Sequence, residues 1–177
     1  MYNSGMLQLS GYLYNCPVLS LRSGGPVATT IEPIINPKFL KIEGFYCEDS
    51  QTHEQLILVS QDIREFSKQG LIIDDHDVLV EPEDLVRLRD VLELDFQLLK
   101  KPVDTTSKSR VGTVKEFAAE TTTLYVQKLY VSRPFWQNLS AGTLSVDRTQ
   151  IVEVTNKRII INDLLEPTVD TAPAIAA

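Results

Sequence analysis

Most of one segment occurs twice in this chain. Val27 to Glu32 leads into Phe39 to Cys47, and 84 residues later Val111 to Glu116 leads into Thr123 to Val131. The apolar residues fall at matching places: Leu40, Ile42, Phe45 and Cys47 against Leu124, Val126, Leu129 and Val131, a spacing of two, three and two. Side chains along a strand alternate between faces, so the step of three would turn the second pair outward. One extra residue restores a single face, which predicts a β-bulge near Gly44 and another near Lys128. A bulge also supplies the twist that a small closed sheet needs. The repeat resumes with Ile63 to Phe66 and Leu71 to Asp74 against Ile151 to Val154 and Ile159 to Asn162, now 88 residues apart. The added length falls within Ser132 to Gly142, which is expected at a loop tip, where it costs little entropy.

Two units of roughly 65 residues each bury only a modest core, so they are expected to lean on one another. With 43% apolar and 23% charged residues, the 177-residue chain has the composition of a globular protein rather than a disordered or fibrous one. No apolar run approaches the roughly 18 residues of a spanning helix. Met1 to Leu9 lacks the basic start and apolar centre of a signal peptide, so the expected location is cytoplasmic, without membrane insertion. Cys16 and Cys47 are the only cysteines and sit among apolar neighbours. Neither they nor His53 and His76 have metal-ligand spacing, so buried reduced thiols and loop histidines are expected, with no metal and no cofactor.

The net charge of −7 is unevenly spread. Residues 1–98 carry 7 basic and 16 acidic side chains (−9), residues 99–163 carry 10 and 6 (+4), and the remainder −2. Either the acidic half lies against the basic repeat, or the second unit faces an anionic partner such as RNA.

In chain order, the first ten residues are polar and expected to fray. A strand follows within Gly11 to Leu21, interrupted at Pro17, and Arg22 to Pro26 makes a glycine turn. Five or six short antiparallel strands per copy, without a long helix between them, read as a small barrel. Between the copies, Glu81 to Asp84 resembles a helix start with Pro82 in its first turn, and Leu85, Leu88, Val91 and Leu92 form a stripe at helical spacing. That stripe is expected to dock on the barrels or on a partner. Asp74, Asp75 and Asp77 lack the glycine and distant glutamate of a calcium loop and read as a solvated turn. The basic residues of Lys100 to Arg110 read as the wet face of the second unit's opening strand. The resulting division is a first unit over 9–75, a helical linker over 76–98, a second unit over 99–163 and a disordered tail over 164–177.

The inserted loop carries Arg133, Phe135 and Trp136, including the only tryptophan. Arginine and large aromatics concentrate binding energy at interfaces, so these three are the candidate partner-binding residues. The structural alternative is that Phe135 and Trp136 fold back to plug a barrel end. No nucleophile–base pair and no metal set is visible, so no catalytic residue is assigned and the chain is read as a non-enzyme.

The run Pro17-Val-Leu-Ser-Leu-Arg-Ser-Gly-Gly-Pro-Val27, then Ile31, then Asn36-Pro-Lys-Phe-Leu-Lys-Ile-Glu-Gly-Phe45, then Ser60-Gln-Asp-Ile63, resembles the PRC-barrel domain. That family includes the photosynthetic reaction centre H subunit and the C-terminal barrel of a ribosomal small-subunit maturation factor. The likeness covers nearly all of residues 11–74 and, more faintly, 99–163. It implies a barrel of about six strands that serves as a docking module without cofactor or catalytic residues of its own. The H subunit's membrane helix has no counterpart here, and the maturation factor's different N-terminal barrel is replaced by what looks like another PRC unit. The expectation is therefore an all-β protein with a short linker helix and two tandem small antiparallel β-barrels. It is expected to act as a protein-binding adaptor or assembly module. The alternative is an RNA-processing or ribosome-assembly factor acting through the basic second unit, and a homo-oligomer is compatible with either.

Overall fold

The computed structural model describes residues 5–133 and 142–163. Their strands are β1 (Leu7–Leu9), β2 (Pro17–Ser20), β3 (Gly25–Asn36), β4 (Lys41–Asp49), β5 (Gln55–Val59), β6 (Ile63–Phe66), β7 (Leu71–Ile73) and β8 (Leu79–Val80). After the linker come β9 (Pro102–Thr105), β10 (Arg110–Glu120), β11 (Val126–Ser132), β12 (Thr143–Asp147), β13 (Ile151–Val154) and β14 (Ile159–Ile161). One sheet has the order β6-β7-β2-β3-β4-β5-β8; the other runs β12-β11-β10-β9-β14-β13, with β1 added to β10.

Both sheets must curl. Only Ser60–Asp62 joins β5 to β6, and only Arg148–Gln150 joins β12 to β13. Those links reach at most about 14 Å, whereas five strand spacings across a flat sheet would separate the same strands by about 24 Å. The pairing is antiparallel except between β2 and β7 and between β9 and β14, which are parallel. This corrects the purely antiparallel expectation: the first strand of each unit lies beside its last, and both run the same way.

The expected bulges are present one residue earlier than placed. Ile34 faces Gly44 and Ile35 faces Ile42, so Glu43 is the extra residue; Ala118 faces Lys128 and Ala119 faces Val126, so Gln127 is its counterpart. Three further irregularities recur at matching positions: Ile31 with Lys115, Val27 with Val111, and Arg64 with Val152. Each swings the chain so that the next apolar residue returns to the inner face. Ile42, Phe45 and Cys47, and equally Val126, Leu129 and Val131, are fully buried in one continuous core that takes residues from both sheets. Burying each such side chain stabilises by about 1.5–3 kcal/mol.

The first residues are not frayed from Gly5 onward. β1 crosses to the second unit, where Leu7, Gln8 and Leu9 pair with Glu120, Ala119 and Ala118, and the Thr121 amide donates to the Met6 carbonyl at 2.9 Å. β10 needs that partner because it runs seven residues past the end of its pairing with β9 at Thr113. The corresponding overhang of β3, beyond β2, is covered by the linker instead: α1 (Arg89–Glu93) packs on β3, and Phe96 is buried. Pro33 sits in that overhang, where no neighbouring strand on the β2 side lacks its missing amide.

The linker is not one helix. Pro82–Asp84 and Val86–Leu88 are single 3-10 turns, and α1 has five residues. Leu85, Leu88, Val91 and Leu92 are half-buried, while Phe96 and Leu98 provide the deep anchors. The two sheets meet at equivalent points of the repeat. The Ile42 amide donates to the Leu124 carbonyl at 2.9 Å, and the Val126 amide donates to the Leu40 carbonyl at 2.8 Å. Leu40 and Leu124 both have left-handed backbones, φ 47° and 61°. The contact is a two-fold interface within a single chain, each partner offering the same surface.

Candidate functional site

Arg133 follows the end of β11 and is half-buried; Phe135 and Trp136 lie outside the described residues. The exposed apolar residues of the linker are Val86 and Leu94, which belong to separate turns rather than to one stripe.

A larger apolar surface lies at the other end of the chain. A groove of about 550 Å³ runs between the segment Met6–Pro17 and the β6–β7 hairpin, Phe66–Leu71. Met6 (70% exposed), Tyr12 (68%) and Leu7 (46%) border it. The crossing of β1 to the second sheet creates this groove, because it holds Met6 and Leu7 on one unit opposite Phe66 and Leu71 of the other. Ser10, a buried residue at the turn, receives the Phe117 amide on its hydroxyl at 3.2 Å and fixes the crossing. Deeper in the groove, burial pushes the Tyr14 hydroxyl up to about 12, with Glu32 adding to it, and also raises the Cys16 thiol. These are packed groups, not ionised ones.

Two further grooves flank the seam and correspond through the repeat. One, about 330 Å³, is lined by Ile63–Phe66 and by Thr121, Thr122 and Leu124; the other, about 430 Å³, by Ile151–Val154 and Pro37–Leu40. They are not alike chemically. Only the second presents exposed Phe39 and Val152, and Arg148 closes it by donating to the carbonyls of Val126 (2.9 Å), Leu40 (3.3 Å) and Phe39 while lying over the Tyr125 ring.

The titratable clusters are structural ties. Buried Asp49 accepts from the Gln51 and Thr52 amides at 2.7 and 2.8 Å and from His76 Nε2, joining the β4–β5 loop to the turn after β7. Asp74 is held by both arms of Arg64, and Asp75 by Arg22. Among the described residues, no three His, Cys, Asp or Glu side chains gather as a metal site. Both cysteines are free thiols; Cys47 is buried, which pushes its thiol up to about 12, whereas Cys16 is only half-buried, against expectation, because it borders the groove. No helix among the described residues is long and apolar enough to cross a membrane.

No protein-family model matches this chain, and no curated protein matches it in sequence. The apolar groove is not legible in the sequence because Met6, Leu7 and Tyr12 border it only once β1 crosses to the second sheet. Asp104, Arg110 and Arg158 differ in kind from their counterparts in the first copy, Leu19, Pro26 and Gly70, a contrast present in the sequence itself.

Proposed function

We propose that this protein is a non-catalytic adaptor built from two PRC-barrel-like units, and that it binds a partner protein through the groove beside β1. The observation carrying this reading is the convergence of Met6, Leu7 and Tyr12, all strongly exposed, on one groove shared by the two sheets. Methionine and tyrosine adapt to a partner's apolar side chains and yield large contact area for little ordering entropy, and a clustered apolar surface marks an interaction site more than scattered residues do. The occupant that fits is a protein segment presenting leucine- or phenylalanine-like side chains.

The test is affinity capture of the tagged protein from its own cells at two salt concentrations, with and without ribonuclease. It is repeated with the Met6→Asp, Tyr12→Asp double variant. Both side chains are mostly in solvent, so the variant is expected to keep its thermal midpoint. A defined partner that survives salt and ribonuclease and is lost with the double variant is the expected result. The competing reading, RNA or ribosome association through residues 99–163, rests on their excess of basic residues, 10 against 6. Ribosomal proteins that disappear with ribonuclease or high salt would support that reading instead.

A further inference from the structure

The outer face of the second unit carries a polar constellation that the first unit does without. Asp104 lies beside Ile160 on β14 and opposite Arg110 on β10; Leu19 lies beside Ile72 on β7 and opposite Pro26 on β3. Arg158 precedes β14 where Gly70 precedes β7. Leu19, Pro26 and Gly70 thus hold in the first unit the places of Asp104, Arg110 and Arg158 in the second. The first unit folds with the apolar set, so the fold does not require the charged one.

Asp104 is buried, and its two oxygens are both used: Arg110 Nε donates to Oδ1, and Arg158 Nη1 donates to Oδ2 at 3.2 Å. A buried carboxylate carries a desolvation penalty that well-packed apolar residues avoid. What it provides is position, because it orients the guanidinium groups of two arginines whose side chains each remain 53% exposed. Next to them opens a cleft of about 640 Å³ whose lining includes Thr105, Lys108, Glu153, Lys157, Arg158 and Ile160. Lys108, Lys157 and Arg158 line the cleft and Arg110 lies behind Asp104; with Asp104, Glu153 and Asp163, which accepts from the Ser107 amide at 3.2 Å, four cations face three carboxylates, a surplus of one positive charge on a chain whose net charge is −7.

We propose that this cleft binds the carboxylates of an acidic polypeptide segment. Guanidinium forks match planar carboxylates, and Ile160 with the lysine stems suits the aliphatic part of a glutamate. A nucleic acid is disfavoured because the cleft is compact rather than a groove that follows a phosphate backbone. The inference rests on the protein-binding reading and adds a second contact to it.

The experiment is an NMR titration of the isotope-labelled full chain with hexaglutamate at fixed ionic strength, with hexauridylate and sodium chloride as parallel arms. Saturable shifts at the amides of residues 105–108 and 156–158 are expected with hexaglutamate. The triple replacement Asp104→Leu, Arg110→Gln, Arg158→Gln leaves no unpaired buried charge and should keep the thermal midpoint while weakening hexaglutamate at least tenfold. Lys157→Glu, at an exposed turn, should weaken it at least threefold and serves even if the triple variant fails to fold. Absence of saturable shifts, tighter binding of hexauridylate, or unchanged binding by both variants would overturn the site. A partner captured through the β1 groove without any hexaglutamate response would reject this inference alone. A hexaglutamate response without any captured partner would reject the β1-groove reading alone.

Discussion

Asp49 shows how one side chain makes stability depend on pH. His76 foremost, then the Thr52 amide and, against the opposing pull of burial, the Gln51 amide hold its carboxyl well below the usual carboxylate range. A depressed folded-state value means that its contribution is complete above the unfolded value of about 4 and is lost as the pH falls through the folded one. Urea unfolding measured from pH 6 downward should therefore show a progressive loss of stability below about pH 5 that is smaller in Asp49→Asn. Leu124 supports a second residue-scale prediction. Its side chain is buried, but its backbone is left-handed at φ 61°. Leu124→Ala should cost about 2–5 kcal/mol for the lost packing. Leu124→Gly should be no worse and should recover about 1 kcal/mol, since glycine alone is at ease there. This reverses the usual order of alanine and glycine, and urea midpoints of the two variants decide it.

At the scale of elements, each strand depends on its irregularities and on close approach. A Cβ at Gly112 in β10 would lie 1.9 Å from the Ser132 carbonyl oxygen of β11, whereas nothing stands within 4 Å of one at Gly25 in β3. Gly112→Ala must push the β10–β11 ladder apart and is expected to lower stability by about 1–3 kcal/mol, with Gly25→Ala within about 0.5 kcal/mol of wild type. Equal effects in thermal unfolding would show that the ladder yields freely. The bulges at Glu43 and Gln127 were legible because the inner apolar residues break strict alternation identically in both copies. The bulges at Ile31 and Lys115 were not, since the step of three from Val114 to Phe117 has only Thr30 and Pro33 as its counterpart, so no apolar spacing recurs in both copies. The linker was misread as one helix because its leucines keep helical spacing; docking the chain along β3 to seat Phe96 and Leu98 outweighs propensity over so few residues.

At the scale of the molecule, two small curled sheets share one core, and the second takes its β1 from the chain ahead of the first, so the two depend on each other. Thermal unfolding of the full chain should be a single transition. Deletion of residues 1–9 should lower its midpoint and open the amides of Ala119 and Thr121 to hydrogen exchange, because it removes the strand that covers the end of β10, including the Met6 carbonyl that accepts from Thr121. Unchanged midpoint and protection after the deletion would show that β1 contributes nothing to holding the units together.

The repeat, the strand content, the inner faces and one of the four bulge pairs follow from local order alone, because apolar spacing reports directly which side chains can share a face. The two parallel pairs, the crossing of β1, the seam between Leu40 and Leu124, and the groove at Met6 and Tyr12 arise between segments far apart in the chain. No periodicity encodes which free edge a short strand such as Leu7–Leu9 will cover. That choice is made by the edge left open when β10 outruns β9, a condition that exists only once the sheets have formed.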